Sequence, residues 1–266
     1  MDLRYGHGKP VHAELKTVLD QRQFVYLAWM KHLATYAADY QAILEFRSPM
    51  NPDFRNGATS RYDAAAIHMM VSSVGPKKWV EVGSGHSTAF AMNAALMHRT
   101  WTLFEVVDPS APNWLTSFSQ CTVHRAPAND VPVDIFTNLE DGDILFVDGN
   151  HLSNAGSDVN IIFLEVLPRL KPGVWVHFHD IFLPSDYLPD WGCDMEDKYT
   201  EQYMLALLLL LDRQTRYQVH LPMYYCLTDD SFSGPTQWMN EFWNAGPAKP
   251  TGKLDLLGGS FWMRVS

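Results

Sequence analysis

The first part of the chain shows apolar positions at helical spacing. From about residue 12 to residue 46, apolar side chains recur every three or four positions, which predicts one or two amphipathic helices. Another helix is expected over residues 62–74, where Gly75 and Pro76 end the pattern. Residues 1–60 are therefore predicted to form a helical cap or lid in front of a main domain at residues 61–266.

Beyond residue 77, short apolar runs alternate with helical segments. Strands are predicted at residues 78–82, 101–107, 121–125, 143–148, 174–178, 217–225 and 260–265. Helices are predicted at residues 90–97, 157–170 and 200–212. The continuous apolar run at 143–148 is typical of a central parallel strand that is buried on both faces. Such alternation predicts an α/β, Rossmann-like doubly wound sheet, in which ligands bind at the carboxyl ends of the strands.

The first of these strands ends in a glycine-rich turn. Glu81 is followed by Gly83-Ser84-Gly85 and then by a helix, and glycines at such a turn let the backbone come close to a ligand. A dinucleotide fingerprint would have a third glycine where Thr88 stands, and a phosphate-binding loop would have a Gly-Lys-Ser/Thr sequence. The segment instead resembles motif I of the class I S-adenosylmethionine (SAM) dependent methyltransferases, in which an acidic residue precedes a Gly-x-Gly turn.

Ionisable side chains follow the later strands at the points where these strands end. Asp108 comes after the second strand, near the roughly 20-residue spacing at which an acidic residue binds a ribose diol. Glu105 is a rival for this role, and Asp108-Pro109 also fits a simple turn. The fourth strand leads into Asp148, Asn150 and His151, and the fifth into His179 and Asp180.

A longer resemblance covers about residues 60 to 266. The chain reads FVDGNH at 146–151, GSDVN at 156–160, PRLKPG at 168–173 and VHFHDIFLPSDY at 176–187, followed by EQY at 201–203 and GGSFW at 258–262. These motifs, in this order, are similar to those of a family of bacterial class I methyltransferases. The resemblance implies a seven-stranded sheet whose last strand is antiparallel, and it implies SAM binding.

The same resemblance implies which residues bind the cofactor. It assigns five residues to the methionine end of SAM: Glu81, Gly83, Ser84, Gly85 and Ser87. Asp108 is assigned to the ribose and the segment 127–130, which includes Asp130, to the adenine. Asp148 completes this set.

Three interpretations remain open for the cluster of Asp148, Asn150, His151, His179 and Asp180. Asp148 and Asp180 could hold Mg²⁺, which would acidify and orient a substrate hydroxyl. Alternatively, His179 or His151 acts as a general base without a metal. In the third interpretation the cluster only stabilises its loops. We favour the metal-free base at this stage, because two imidazoles are unusual neighbours for Mg²⁺.

Composition excludes several classes of function. The net charge is -10, and no basic stripe suited to nucleic acid is visible. No apolar stretch reaches the roughly 20 residues that a bilayer requires, and residues 1–10 lack the apolar centre of a signal peptide. Three widely spaced cysteines form no disulfide framework. We expect a cytoplasmic protein that binds no membrane, and a homodimer remains an open alternative.

The predicted activity is therefore methyl transfer from SAM to an oxygen or nitrogen of a small molecule. A second hypothesis keeps SAM but changes the reaction to intramolecular cyclisation or aminocarboxypropyl transfer, either of which would release methylthioadenosine. A third is an NAD-dependent dehydrogenase or a non-catalytic SAM-binding module. The missing third glycine disfavours the dehydrogenase. The ionisable groups that meet at one sheet edge disfavour the module.

Overall fold

The computed structural model describes residues 3–46, 52–189, 199–245 and 257–266. Its centre is a seven-stranded sheet in the order β3-β2-β1-β4-β5-β7-β6. The strands are β1 Lys78–Val82, β2 Leu103–Val107, β3 Cys121–His124, β4 Ile144–Val147, β5 Trp175–Phe178, β6 Tyr217–Pro222 and β7 Phe261–Val265.

Strands β1 to β5 are parallel, whereas β7 pairs antiparallel with both β5 and β6. The order reverses at β1, which lies between β2 and β4. In an open parallel sheet, ligands bind at such a reversal, outside the carboxyl ends of the strands. The predicted doubly wound sheet with an antiparallel last strand is confirmed.

Ten α-helices are assigned in the described ranges, and several cover the two faces of the sheet. They are α1 Ala13–Asp20, α2 Gln23–Leu33, α3 Ala37–Glu45, α4 Arg61–Val74, α5 His86–His98, α6 Asp134–Thr137, α7 Asp158–Ile161, α8 Glu201–Asp212, α9 Met223–Thr228 and α10 Ser233–Ala245. Every residue of β4 and β5 is buried, including His177 in the otherwise apolar β5.

The N-terminal segment forms three α-helices, α1 to α3, where one or two were predicted, and they pack on the main domain. Helix α2 contacts β6, α4 and α10, and α1 contacts α8. The predicted helical segment is therefore present, and its position against β6 ties it to the main domain. None of the helices in the described ranges is long and apolar enough to cross a membrane.

Apart from shifted end residues, two predicted elements of the main domain differ from the structure in their type of secondary structure. The strand predicted at 217–225 ends at Pro222, and α9 follows directly, so Tyr224 and Tyr225 are helical. Proline has no amide N–H to continue a strand ladder. The helix predicted at 157–170 is α7 followed by a π-helical turn, Ile162–Val166, and a 3-10 turn, Leu167–Arg169. Pro168 cannot donate a helical hydrogen bond, which accounts for the irregular end.

Helix α10 was missed by the sequence analysis. Its buried residues, Met239 and Trp243, are four positions apart, which is a helical signal that the sequence does carry. Of the three cysteines, Cys121 and Cys226 are free, and Cys193 lies outside the described residues.

Candidate active site

A cleft of about 530 Å³ runs along the carboxyl ends of the central strands. Its lining follows the strand order: 127–129 after β3, Asp108 after β2, Gly83 and Ser84 after β1, and Asp148 after β4. The predicted cofactor residues at these four strand ends are thus brought to one crevice. An elongated ligand placed there would have one end beside the end of β3 and the other beside the end of β4.

Gly83 is needed for the close approach of two strand ends. Its φ of +83° favours glycine, and a Cβ built at this position would lie 1.9 Å from the carbonyl oxygen of Asp148. A Cβ on Gly85 would meet nothing within 4 Å, although its φ of +155° also favours glycine. Gly83 is therefore required for the close packing of the β1 and β4 ends. The space next to Gly85 is open.

Glu81 lies beneath this loop and is fully buried. Its carboxylate accepts hydrogen bonds from the indole of Trp79 at 3.1 Å and from the hydroxyl of Ser87 at 2.6 Å. Burial raises the pKa of Glu81 to about 7, although the Ser87 and Trp79 bonds oppose the shift. Glu81 and Ser87 do not line the cleft, so they shape the loop from below, and direct contact with the cofactor stays a prediction for both.

Asp108 lies in the cleft, whereas its rival Glu105 does not. Asp108 accepts a hydrogen bond from the Ser84 hydroxyl and one from the amide of Ser110. Glu105 is instead paired with Lys78 at 2.8 Å and with His124 at 2.9 Å. The structure therefore favours Asp108 over Glu105 as the residue that would bind a ribose.

We expect Asp108→Ala to weaken SAM binding by about 1.5–3 kcal/mol, the range for a hydrogen bond to a charged group. Glu105→Ala is the matched control, because it removes a carboxylate three residues earlier in the chain that does not line the cleft. Calorimetric titration with SAM compares the two variants. If the two variants bound SAM with equal affinity, Asp108 would not contact the ribose.

Two other predicted residues occupy more peripheral positions. Asp130 is exposed and does not line the cleft, although the neighbouring residues 127–129 do. Asn150 lines the cleft, and its side-chain oxygen accepts a hydrogen bond from the amide of Leu152. The side-chain oxygen of Asn150 thus stabilises the turn in which this residue lies, and its catalytic role stays a prediction.

The ionisable cluster forms beside the β4 end of the cleft, and His179 is at its centre. Nδ1 of His179 is 3.1 Å from Asp180 and 3.5 Å from Asp148, and Nε2 is 3.5 Å from Asp63. His179 and Asp63 are buried, whereas Asp148 is partly exposed to the cleft. Three carboxylates thus enclose one imidazole.

His151 extends the same cluster toward helix α8. Its Nε2 is 3.4 Å from Asp148 and 3.6 Å from Asp180, and its Nδ1 is 2.8 Å from Glu201. The backbone oxygen of His151 also accepts hydrogen bonds from the amides of Thr200 and Glu201. The loop after β4 is therefore fastened to the start of α8.

The neighbouring carboxylates control the protonation of His179 and His151. Burial by itself would lower the pKa of His179, but Asp148, Asp180 and Asp63 raise it well above its usual value. Burial also opposes the charge on His151, yet hydrogen bonds to Asp148 and Glu201 raise its pKa to about 10. Both imidazoles are therefore cationic at neutral pH in this arrangement. His179 can act as a general base only after it loses that proton.

Backbone conformation at the cluster is unusual. His151 has a φ of +61° and Asp180 a φ of +57°, a left-handed conformation that non-glycine residues rarely adopt. A Cβ on Gly259 would lie 2.9 Å from Cα of Asp180, so glycine is required where the start of β7 passes this turn. Strained residues of this kind concentrate at functional sites.

Sequence analysis did not identify two carboxylates of this site. Asp63 accepts hydrogen bonds from the amides of Gly259 and Ser260 at 2.9 and 2.8 Å, and its own amide donates to Ser60. The only sequence signal at Asp63 is the helix-capping pattern Ser60-x-x-Asp63. Glu201 stood in a matching motif but was given no role. Both became visible only through their tertiary contacts with histidines.

The raised pKa values predict a pH-dependent stability. Between about pH 7 and 8.5, His151 is protonated in the folded state and neutral in the unfolded state, so its contribution to the free energy of unfolding falls by about 1.4 kcal/mol per pH unit as pH rises. We expect His151→Gln to remove this contribution. Chemical denaturation in EDTA at several pH values measures both slopes, and identical slopes in the two proteins would contradict the assignment.

The reversed sheet order, the glycine loop and the acidic residue after β2 are typical of proteins of the open α/β class that bind a nucleotide-type cofactor. Residues 80–181 match the family model of a methyltransferase domain. The chain is an enzyme with the class I SAM-dependent methyltransferase fold, as the sequence analysis predicted.

Solved structures with a similar fold include methyltransferases. A structure described as CmcI-D160 with Mg and SAM is 17% identical, with 77% of this chain and 71% of the other covered and a TM-score of 0.39. The SAH-bound methyltransferase PaMTH1 of Podospora anserina is 16% identical, with 90% and 88% covered and a TM-score of 0.39. No curated protein matched the chain.

Proposed function

We propose that the protein transfers the methyl group of SAM to a hydroxyl oxygen of a small molecule. The observation that carries this proposal is the enclosure of His179 by Asp63, Asp148 and Asp180 at one end of the cofactor cleft. A hydroxyl must lose its proton when it is methylated. A cluster of carboxylates and imidazoles supplies groups that can hold or move that proton.

The cleft supports one orientation of the cofactor. With the ribose at Asp108 and the adenine beside 127–129, the methionine end of SAM would reach Gly83, Ser84 and Asp148. The sulfonium then lies near Asp148, whose carboxylate favours a nearby positive charge. The methyl group would be directed toward His179 and Asp180.

A second, smaller cavity adjoins the cluster and shares no lining residue with the cofactor cleft. Its volume is about 60 Å³, and its lining includes 57–60, Asp63, His179, Asp180 and Gly259. This space suits the reacting portion of a small molecule. The net charge of -10 likewise favours a small-molecule substrate over a nucleic acid.

The donor set also fits a divalent cation. Ligand atoms of Asp148, His179 and Asp180 lie within 4.8 Å of one another. Nδ1 of His179 faces the two aspartates, and Nε2 faces Asp63, an outer carboxylate that would orient the imidazole. We propose Asp148, His179 and Asp180 as ligands of Mg²⁺ or Mn²⁺, in preference to a metal-free base. When bound, such an ion lowers the pKa of a coordinated hydroxyl.

The chain's own residues would position the reactants. As the new O–CH₃ bond forms, the CH₃–S⁺ bond breaks, and the sulfur leaves as neutral S-adenosylhomocysteine. The hydroxyl proton passes to a group of the cluster. Asp63 fixes the ring of His179, and Glu201 fixes that of His151, so the alignment needed for an in-line displacement is largely built in.

Product analysis tests the reaction class. Incubation with SAM and a panel of small hydroxyl compounds should yield S-adenosylhomocysteine together with a methylated oxygen. Methylthioadenosine from SAM alone would overturn methyl transfer and favour cyclisation or aminocarboxypropyl transfer. Treatment with EDTA should stop turnover, and Mg²⁺ or Mn²⁺ should restore it. Full activity in EDTA would overturn the metal assignment while leaving methyl transfer intact.

A further inference from the structure

A second group of potential metal ligands lies far from the cleft, where three helices meet. Asp39 is in the first turn of α3, His68 is in the middle of α4, and His98 is the last residue of α5. Oδ2 of Asp39 is 3.2 Å from Nε2 of His68 and 2.8 Å from Nε2 of His98. The three ligand atoms lie within 4.8 Å of one another.

We propose that Asp39, His68 and His98 form a binding site for a divalent transition-metal ion of the zinc type, which fastens α3 to α4 and α5. Two imidazole nitrogens and one carboxylate oxygen are an established donor set for Zn²⁺. The ligands are about 30 residues apart in sequence, so one ion would join three separate elements.

Burial and exposure at the cluster suit this role. The side chain of His68 is fully buried, while those of Asp39 and His98 are 22% and 32% exposed. The inner ligand is thus shielded, and the other two leave an opening through which an ion and a water ligand can enter. In the described part of the chain, the ion-pair partners of Asp39 are these two histidines, so no lysine or arginine competes for its carboxylate.

Aromatic rings surround the two histidines. The ring of Tyr36 lies edge-on to His68 at 5.9 Å and to His98 at 5.6 Å, and the ring of Tyr40 lies 5.7 Å from His68. Burial lowers the pKa of His68 to about 4 despite the opposing effect of Asp39, so this imidazole is neutral and its nitrogen is available to a metal at neutral pH.

The site is independent of the cofactor cleft. His98 is twelve residues from His86 along α5, which corresponds to about 18 Å of helix. The site therefore fits a structural role, in which it would hold the N-terminal helices on the main domain. Buried Nδ1 of His68 has no hydrogen-bond partner among the described residues, so we expect weaker binding than at a site with a complete outer shell, by roughly 10–100-fold.

The test is titration of the chelator-treated protein with Zn²⁺ alone. Because Asp148, His179 and Asp180 could also bind Zn²⁺, the titration is made in the double variant Asp148→Asn, Asp180→Asn. We expect one equivalent to bind there, and the further change His98→Ala to weaken it by more than about 100-fold. His32→Ala is the matched control, because His32 contacts the ring of Tyr36 but bonds to Ser73 instead of Asp39.

Three further results decide the proposal. Zn²⁺ should raise the thermal midpoint of the double variant and of the His32→Ala control, but not that of His98→Ala. Co²⁺ bound to the double variant should show the visible absorption of an ion with nitrogen ligands, which tests the site even if His98→Ala folds poorly. The proposed zinc site would be overturned if the double variant bound neither Zn²⁺ nor Co²⁺. It would also be overturned if a folded His98→Ala variant bound Zn²⁺ as tightly as before. In the double variant, the affinity for SAM should be the same with and without Zn²⁺, because the Asp39 site is remote from the cleft.

Discussion

His179→Ala is expected to lower methyl-transfer turnover by about 10²–10⁴-fold while SAM affinity stays within a few-fold of the unchanged protein. The imidazole is the contact common to Asp63, Asp148 and Asp180, but it does not line the cofactor cleft. Its removal therefore affects the reacting hydroxyl and any ion held there, and not the binding of SAM. Steady-state kinetics together with calorimetry separate these two effects.

A histidine outside the site provides the control for this change. His124 lies on β3 and pairs with Glu105, so His124→Ala removes an imidazole without touching the cluster. His179→Gln retains hydrogen-bonding groups and should recover little activity if charge or metal ligation is the essential property. Normal turnover in His179→Ala would show that positioning by the remaining residues is sufficient.

Asp63→Ala is expected to reduce the free energy of unfolding by about 2–6 kcal/mol, because two buried amides lose their acceptor at a cost of about 1–3 kcal/mol each. Burial by itself would raise the pKa of Asp63. The bond to His179 and the amides of Gly259 and Ser260 nevertheless lower it, so the carboxylate is charged and supported. Its loss would leave the two buried amides without their acceptor and would remove the carboxylate 3.5 Å from Nε2 of His179, while Asp148 and Asp180 still face Nδ1.

Ser60→Ala separates this effect from helix capping. Ser60 caps α4 by accepting a hydrogen bond from the amide of Asp63, and loss of such a cap typically costs about 1 kcal/mol. Denaturant titration of both variants measures the difference. If Asp63→Ala is no more destabilising than Ser60→Ala, Asp63 acts only in the helix cap.

Much of the fold was predictable because local sequence and global fold agree in the central sheet. No polar residue interrupts β4, which is buried on both faces, while Glu81 in β1 and His177 in β5 are buried polar residues within largely apolar strands. The resemblance to methyltransferases predicted the antiparallel last strand. Pro222 and Pro168 were visible in the sequence, yet the structural consequences of each depended on neighbouring elements.

The sequence by itself determined the site's edge of the sheet, because residues that follow parallel strands must meet there. Gly83, Asp108, Asp148 and His179 were identified in this way. Tertiary structure alone decided which charges surround His179 and His151. Asp63 precedes His179 by 116 residues, and Glu201 follows His151 by 50. Periodicity and strand-end rules describe neighbours along the chain and at one sheet edge. The protonation of a buried histidine depends on carboxylates that only packing brings within about 4 Å.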